Sequence, residues 1–475
     1  MSIRHIFTHP TMADIQQVKS ELGIAGAVLG PGDEGYEESL RGWSDLIYRR
    51  AAVVVRPKNA EDIASVVKYA RKHALDIAVR GGAHSTSATS STEGGILIDL
   101  GKAMTRVTVD VAGQTVTVQG GAKWGDVNKE VGKHQLAVNG GTVSLVGVGG
   151  LALQGGYGYY TPRHGLVLDT ILAAKVVTGA GEILTASPEE NEDMFWAIRG
   201  AAMNVGVVCE LTFQAYPQPN LIWYGMNSYP ADDVVHVAEA LNASIFHPQG
   251  KAAAQCVVHL LPDDMKTPVV STVLFFNGSK EEAHEHFAAL LKIKPIKEDM
   301  AMRPFSETCT ILDPLVQPGG RKMEIGFQMP LPPRPGFVKE ICDAIISKLT
   351  QEPDLAHSSV EIDYFDPTQI CKVPVSAAAF ATRVKLLHAT PMLQWSDAMK
   401  DEEFIKFGHK FRRMAEEELL SQGQSQSRTT SNFIDYTHEN KLSPSEMFGE
   451  NAARLLKVKA KYDPDNLFNK QNPIV

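Results

Sequence analysis

A glycine turn followed by a histidine is the first feature of this chain that could support chemistry. The apolar run from Ile77 to Val79 predicts a strand, and the turn after it consists of Arg80, Gly81, Gly82, Ala83, His84 and Ser85. Glycine allows positive φ and a close approach of the backbone to a ligand, and successive N–H groups in such a turn can bind a phosphate. His84 would then contact the molecule that carries the phosphate. The alternative interpretation is a polar surface turn between two strands.

A second glycine-rich stretch extends from Gly140 to Gly158. Its glycines are interleaved with apolar residues such as Val143, Leu145 and Leu151. A flexible linker is normally polar and rich in serine, so this composition favours a packed loop. We expect the backbone of this loop to lie against a ligand or against other backbone.

Composition and charge argue against several classes of protein. The 475 residues are too many for one ordinary hydrophobic core, so two or three domains are expected. A net charge of −9 and the lack of a Lys/Arg run argue against nucleic acid as a partner. Five cysteines without a C-x-x-C pair indicate neither a disulfide framework nor a metal site. No apolar run is long enough to cross a membrane, and no secretory signal is evident, which predicts a cytoplasmic protein.

The first half of the chain predicts a β-α-β unit followed by hairpins. Residues 51–56 form the first strand, a helix begins after Asn59, and the second strand carries the glycine turn. Short β-branched runs separated by glycine turns then predict further strands at 96–100, 107–111, 115–118, 171–177, 182–185 and 205–213. A helix through Lys133 is expected between the third and fourth of these runs.

The pattern changes near residue 218, where long helices begin to alternate with strands. The predicted helices are 231–243, 280–291 and 335–349, and the predicted strands lie near 253–260, 269–276, 323–329, 359–365 and 383–394. This pattern predicts a second domain with an antiparallel sheet backed by helices.

Eight motifs occur in a fixed order and together resemble one family. They are VVVRPKNAEDIASVVKYA, VRGGAHS, GGILIDLGKA, TVQGGAKWGDV, VGVGGLALQGGYG, HGLVLDTILAAKVVTGAGEIL, ENEDMFWAIRGAAMNVGVV and FGENAARLLKVKAKYDPDNLFN. In this order they resemble the berberine bridge enzyme-like flavoproteins of the vanillyl-alcohol oxidase superfamily, over about residues 48–217 and 430–470. The resemblance implies an α+β protein with the two-domain PCMH-type FAD-binding fold. Residues 1–217 and 428–475 would form the FAD-binding domain, and residues 218–427 the substrate domain.

The resemblance implies FAD as the cofactor. In this family the turn at Arg80–Ser85 wraps the pyrophosphate, and the histidine at the position of His84 bonds covalently to the 8α-methyl group of the flavin. Many members add a bond from a cysteine four residues before the GVGG motif, where this chain has Val143, so we expect a single covalent link. Ala83 replaces a third glycine of the turn, a change that we expect to be tolerated. Further residues expected to contact FAD are Val146, Gly147, Val148, Gly149, Gly150, Gly155, Gly156, Tyr157, Val208, Asn432 and Asn451. For the two asparagines, ordinary helix and loop surface is the alternative.

Removing a hydride from an alcohol or amine carbon also requires a base for the accompanying proton. Many family members have a tyrosine in a Tyr-x-Asn pattern near the C-terminus, but the corresponding residues here are Thr430, Ser431 and Asn432. The remaining candidates are His388, Asp363, Tyr364 and Tyr160. His388 lies in the run 383–395, which resembles the substrate-facing strand of the family. Each of these side chains could instead be satisfied in the core or exposed to solvent.

The expected activity is oxidation of a small organic molecule by hydride transfer to covalently bound FAD. The missing cysteinyl link favours a secondary-metabolite-type alcohol, amine or polyketide as substrate over a carbohydrate. Val146 stands where a small side chain or valine is associated, in this family, with oxygen reaching the flavin, which favours an oxidase with molecular oxygen as acceptor. Two alternatives stay open: a pathway cyclase on the same scaffold, oxidative or pericyclic, and a non-catalytic binding protein that keeps the flavin fold.

Overall fold

The computed structural model describes residues 12–424, 442–470 and 474. The first of its sheets consists of β1 (Ala27–Leu29), β2 (Val53–Arg56), β3 (Ile77–Arg80) and β4 (Ile96–Asp99). The strands lie in the order β1-β2-β4-β3, with β2 and β3 parallel to β4 and β1 antiparallel to β2. The glycine turn therefore begins at the carboxyl end of a parallel strand, which is where α/β sheets commonly bind ligands.

The predicted β-α-β unit is confirmed. The helices of this region are α1 (Met12–Leu22), α2 (Tyr36–Leu40) and α3 (Ala60–His73). Helix α3 begins after Asn59 because the Asn59 side chain accepts a hydrogen bond of 2.8 Å from the backbone N–H of Asp62. The apolar stripe of α3 is buried, and β3 then leads directly into Gly81.

The second sheet carries the predicted hairpins. Its strands are β5 (Val107–Asp110), β6 (Thr115–Gln119), β7 (Leu136–Val138), β8 (Ile171–Thr178), β9 (Ile183–Ala186) and β10 (Gly206–Pro217). They lie in the antiparallel order β5-β6-β10-β8-β9, and β7 pairs with the end of β10. The helices between them are α4 (Trp124–Gly132), α5 (Val148–Ala152), α6 (Thr161–His164) and α7 (Glu192–Ala201). The prediction of a loop throughout the second glycine-rich stretch is wrong at α5, where one short helix follows Gly147.

The third sheet is large and antiparallel, as predicted. Its strands are β11 (Ile222–Pro230), β12 (Ala252–Leu260), β13 (Pro268–Phe276), β14 (Lys297–Arg303), β15 (Arg321–Glu324), β16 (Phe327–Met329), β17 (Ser359–Tyr364) and β18 (Leu387–Trp395). The order is β14-β11-β13-β12-β17-β18-β15, and β16 also pairs with β18. The single strand predicted at 323–329 is thus two strands, and neither β11 nor β14 was predicted.

Helices cover one face of the large sheet. The helices of the C-terminal half are α8 (Val234–Ala243), α9 (Lys280–His286), α10 (Pro335–Gln351), α11 (Thr368–Lys372), α12 (Asp401–Ser421), α13 (Pro444–Phe448) and α14 (Ala452–Tyr462). Apolar residues of the sheet such as Val258 and Ile362 share a buried core with Ile341 of α10 and Phe411 of α12. Because side chains alternate along a strand, the residues between them face the other way. That second face lies toward the N-terminal sheets and carries apolar side chains such as Val257 beside polar ones.

The C-terminal helix α14 returns to the first part of the chain. The Tyr462 hydroxyl donates to the Asp193 carboxylate at 2.7 Å, and Arg454 forms an ion pair with Glu192 at 2.8 Å. Strand β10 ends at Pro217 before the large sheet begins, while the exact domain boundaries stay predictions. Within the described residues, no helix has both the length and the apolar character needed to cross a bilayer.

Candidate active site

A cavity lies where the N-terminal sheets meet the large sheet. Part of its lining comes from the glycine turn after β3 and from the stretch that contains α5. Side chains of β17 and β18 supply another part, and Phe468 and Lys470 near the C-terminus also line it. Segments from both ends and from the middle of the chain therefore meet at one site.

The two glycine-rich segments pack backbone against backbone. A Cβ atom added to Gly82 would lie 2.5 Å from the Cα and N atoms of Gly147, and one added to Gly81 would lie 2.8 Å from the carbonyl oxygen of Gly120. Close contact between main chains therefore explains these glycines. Gly150 differs, because it lines the cavity and a Cβ added there would meet no atom within 4 Å. The space beside Gly150 is available to a ligand.

His84 reaches the cavity at the end of the glycine turn. Its ring stacks on Trp43, with ring centroids 4.0 Å apart and an interplanar angle of 15°. The buried Nε2 atom has no hydrogen-bond partner among the described residues. Burial, and secondarily the charges of Lys123 and Lys322, lower the pKa of His84 to about 3. The ring is therefore neutral at pH 7 and keeps a nitrogen lone pair.

Ala83, which replaces the family's third glycine, has a φ of 58°. This left-handed conformation costs an L-residue roughly 1–2 kcal/mol, whereas glycine adopts it freely. The Ala83 carbonyl accepts a hydrogen bond of 2.8 Å from the Trp43 N–H, which holds the peptide in place. The turn accommodates alanine here at an energetic cost that the neighbouring contact helps to offset.

Most residues predicted to contact FAD line the cavity. They are Gly81, Gly82, Ala83, His84, Ser85, Val146, Gly147, Gly149, Gly150, Tyr157 and Val208. Val143, at the position of the family's cysteine, lines it as well. Asn432 lies outside the described residues. The structure thus brings the two glycine segments together, and their contact with FAD stays a prediction.

Two of the predicted cofactor residues have structural partners instead. Arg80 is buried, and its guanidinium donates to backbone carbonyl groups, including that of Arg41 at 3.0 Å. Asn451 donates from its side-chain amide to the carbonyl oxygens of Val375 and Ala378, both at 3.0 Å. Neither residue lines the cavity, so the structure places Arg80 behind the glycine turn and Asn451 in a C-terminal contact.

Three apolar or glycine positions of the second stretch also lie behind the cavity lining. Val148 is buried in the hydrophobic core. Gly155 has a φ of 117°, and its neighbour Gly156 has a φ of 80°. A Cβ atom at Gly155 would lie 2.7 Å from the Phe380 ring, and one at Gly156 would lie 2.7 Å from Cβ of Val167. These glycines shape the chain after α5 because both the conformation and the space exclude a side chain.

Strands β17 and β18 bring Asp363 and His388 side by side. The two residues are register partners, and His388 Nδ1 lies 3.0 Å from Oδ2 of Asp363. When the ring is uncharged and donates from Nδ1 to Asp363, Nε2 is the acceptor nitrogen. Gln255 donates to Oδ1 of Asp363 at 2.9 Å, and the Tyr159 hydroxyl donates to Oε1 of Gln255 at 2.7 Å. A chain of hydrogen bonds therefore fixes the orientation of the Asp363–His388 pair.

Two further carboxyl groups, Glu361 and Glu324, line the same cavity and were not predicted. Burial, followed by the charge of Asp363, raises the pKa of Glu361 well above its usual range, and burial raises the pKa of Glu324 to about 7. The acidic residues at 361 and 363 alternate with apolar ones, which is a sequence signal for one polar face of a strand. Among the described residues, no group of three His, Cys, Asp or Glu side chains is arranged to hold a metal ion.

The three tyrosines of the prediction have different surroundings. Tyr157 lines the cavity and stacks on His388, with centroids 5.2 Å apart, and burial raises the pKa of its hydroxyl. Tyr160 donates its hydroxyl to Gln218 at 2.7 Å and does not line the cavity. Tyr364 is buried in the core on the helix side of the sheet. Tyr160 and Tyr364 are therefore poorly placed as catalytic candidates, in the second case because neighbouring residues of a strand face opposite ways.

The lining of the cavity fits an FAD molecule. His84 offers a neutral ring with an unpartnered buried nitrogen, and the backbone beside Gly150 is open to a ligand. None of the five cysteines, all of which lie in the described part of the chain, lines the cavity. The donor set is thus compatible with one histidyl link and supplies no thiol for a second.

Two family models and a curated relative match this chain. Residues 51–187 match the FAD binding domain, and residues 432–475 match the model described as berberine and berberine like. The FAD-linked oxidoreductase pgmH of Aspergillus terreus is 31% identical, and the alignment covers 97% of this chain and 96% of the relative.

Two solved structures are similar to this chain over nearly its whole length. The 6-hydroxy-D-nicotine oxidase from Arthrobacter nicotinovorans is similar with a TM-score of 0.80 and 26% identity, over 96% of this chain and 98% of that chain. Glucooligosaccharide oxidase from Acremonium strictum, which has a 6-S-cysteinyl, 8α-N1-histidyl FAD, shares the fold with a TM-score of 0.79 and 21% identity, over 96% and 98% of the two chains. By sequence and by fold, this chain belongs to the berberine bridge enzyme-like FAD-linked oxidoreductases.

Proposed function

We propose that this oxidoreductase is an oxidase that removes a hydride from a carbon atom of a small organic substrate, with FAD linked covalently to His84 and molecular oxygen as the final acceptor. The observation that carries the proposal is the single cavity that contains both the neutral His84 ring and the Asp363–His388 pair. A cofactor attachment point and a base for the substrate are thus combined in one site.

The residues around His84 would hold the cofactor. Bound FAD supplies a hydride acceptor for the reaction. The backbone of the glycine turn and of the segment from Gly147 to Gly150 would lie along it, because no side chain intervenes there. Phe468 and Lys470 would close the cavity near β3.

His388 is the proposed proton acceptor. Asp363 accepts the Nδ1–H of the ring, so Nε2 is the basic nitrogen, and Gln255 holds Asp363 in turn. The Asp363 carboxylate would stabilise the imidazolium that forms when His388 takes the proton. Glu324 and Glu361 lie in the same wall, but their raised pKa values reduce their negative charge near neutral pH.

The substrate class is proposed from the relatives and from the cavity. The similar 6-hydroxy-D-nicotine oxidase supports a small organic amine or alcohol of the secondary-metabolite type as substrate. A polyketide stays within this class. Val146 lines the cavity with a short side chain, which supports access of oxygen to the flavin. The cyclase and the non-catalytic binding protein have no observation in their favour that the oxidase lacks.

The covalent link is tested by acid precipitation of the purified protein. We expect a yellow pellet from the wild type and a colourless pellet from His84→Ala. His164→Ala is the matched control, because His164 also stacks on an aromatic ring, Tyr216, at 3.7 Å and has a pKa lowered to about 4 by burial. A colourless wild-type pellet, or a yellow pellet from His84→Ala, would contradict the proposed link.

The oxidase activity is tested anaerobically with a panel of amines and alcohols. A substrate should bleach the visible absorbance of the flavin, and admission of oxygen should restore it with release of one equivalent of hydrogen peroxide. Product formation without bleaching would favour the cyclase. A protein that binds a ligand tightly and never bleaches would favour the binding protein.

A further inference from the structure

Residues 43–45, which we call the clasp, connect the glycine turn to the large sheet. On one side, the Trp43 N–H donates to the carbonyl of Ala83, the residue before His84, at 2.8 Å. On the other side, the Ser44 hydroxyl donates to the Lys322 carbonyl and accepts from the Lys322 N–H, both at 2.9 Å. The clasp therefore ties the position of His84 to β15.

The indole of Trp43 is fixed in place. Its Nε1–H donates to the Val316 carbonyl at 2.6 Å, and the side chain is 3% exposed. The His84 ring lies almost flat on this indole, with 4.0 Å between centroids. Nε2 of His84 has no hydrogen-bond partner among the described residues, and the stack on the indole restricts the plane of the imidazole.

Lys322 supports the clasp rather than the charge state of His84. Its Nζ atom lies 5.0 Å from the centre of the Trp43 ring and donates to the Trp43 carbonyl at 3.4 Å and to the Gly319 carbonyl. The Lys322 charge lowers the pKa of His84, but burial is the largest cause and acts in the same direction. Loss of Lys322 would therefore act mainly by loosening Trp43.

We infer that Trp43 is a positioning residue for the covalent attachment of FAD, an inference that rests on the proposed link at His84. In this step a nitrogen of His84 bonds to the 8α-carbon, while one methyl C–H bond and the imidazole N–H bond are broken. The two electrons of the C–H bond pass to the flavin ring. Dioxygen is the oxidant that then takes these two electrons and two protons and becomes hydrogen peroxide. The neutral imidazole is already nucleophilic, so the orientation of its ring toward the 8α-carbon limits the rate of attachment. The stacked indole of Trp43 sets that orientation.

The test compares Trp43→Leu, which removes the stacked ring, with Trp43→Phe, which keeps one. Each purified protein is incubated aerobically with excess FAD, and two quantities are followed: total bound flavin before denaturation and flavin that remains with the acid-precipitated protein. We expect Trp43→Leu to bind the wild-type amount of flavin but to acquire acid-stable flavin at least about tenfold more slowly. Trp43→Phe should recover most of the wild-type rate.

The matched control is Trp223→Leu, which removes an equally buried indole that packs on another histidine, His284, at 5.5 Å. This variant should lose thermal stability and still attach FAD at the wild-type rate. Attachment at the wild-type rate in Trp43→Leu would overturn the inference. If Trp43→Leu binds no flavin, the rate of FAD attachment in Lys322→Met tests the inference instead. A slower rate than in the wild type supports the inference, and an unchanged rate overturns it. A wild type that never acquires acid-stable flavin would instead overturn the link at His84 itself.

Discussion

The proposed cofactor side and the proposed substrate side of the cavity are built in different ways. The cofactor side comes from two continuous segments, 81–85 and 146–150, and it presents mostly backbone. The substrate side comes from side chains of β12, β15, β17 and β18, which are spread over residues 257–392. A surface made of backbone requires glycine at a few fixed positions. A surface made of side chains can change the ligand that it binds by single substitutions. This difference explains why the cofactor is easier to identify than the substrate.

The largest expected effect is on the substrate side. His388→Asn should lower turnover about 10²- to 10³-fold, because it removes the proposed proton acceptor. The fraction of acid-stable flavin should not change, since His84 lies in the other wall. Steady-state release of hydrogen peroxide measures the first quantity. His259→Asn, at a buried histidine of β12 bonded to Ser271, is the control. Turnover within a few-fold of the wild type would remove His388 from the mechanism, and the proposed substrate side would then lack its proton acceptor.

On the cofactor side, Gly82→Ala and Gly150→Ala separate packing from ligand contact. Gly82→Ala should destabilise the protein by about 3 kcal/mol, because the new Cβ would overlap the backbone of Gly147. Gly150→Ala should raise the free energy of unfolding of the flavin-free protein by up to about 1 kcal/mol, because Gly150 lies inside α5, and should reduce flavin binding. Urea unfolding and flavin titration measure these two quantities. Similar losses of stability in both variants would show that the segment serves packing alone.

A smaller effect is expected from Glu324→Gln and depends on pH. The pKa of Glu324 is raised by burial to about 7 in the folded protein, from an ordinary value of 4.5. Between these pH values the folded protein holds a proton that the unfolded chain has released, so this group lowers stability as the pH rises from 4.5 to 7. Glu324→Gln should therefore raise the melting temperature more at pH 8 than at pH 5. Glu298→Gln, on exposed β14, should show no such difference, and an equal shift at both pH values would contradict the assignment.

The smallest effect is expected at Ala83. Ala83→Gly should stabilise the protein by at most about 1 kcal/mol, because relief of the left-handed strain is partly cancelled by the greater freedom of glycine in the unfolded chain. Ala83→Val should destabilise it, since a branched side chain fits the φ of 58° less well. Thermal unfolding measures both variants. A destabilised glycine variant would mean that alanine makes a contact that offsets its strain.

Much of the fold was predictable because its signals are local. The helix after Asn59, the hairpin at β8 and β9 and the antiparallel large sheet follow from capping residues, turns and periodicity. Strand β14 was missed because it is polar and mostly exposed. The break between β15 and β16 contains a single glycine, Gly326, which is a weak signal of an interrupted strand. The long helix α12 was also missed, although its apolar positions are regularly spaced.

The sequence by itself determined the family, the cofactor and the position of the glycine turn after a strand. These depend on short contiguous motifs whose backbone geometry is encoded locally. Only the tertiary structure decided which polar residues share the substrate side. Asp363 and Tyr364 are neighbours in the chain and face opposite sides of one strand, whereas Gln255, Asp363 and His388 are far apart in the chain and adjacent across the sheet. Trp43 likewise carries no motif, and its proposed role near His84 depends on the fold, which places its indole against that ring.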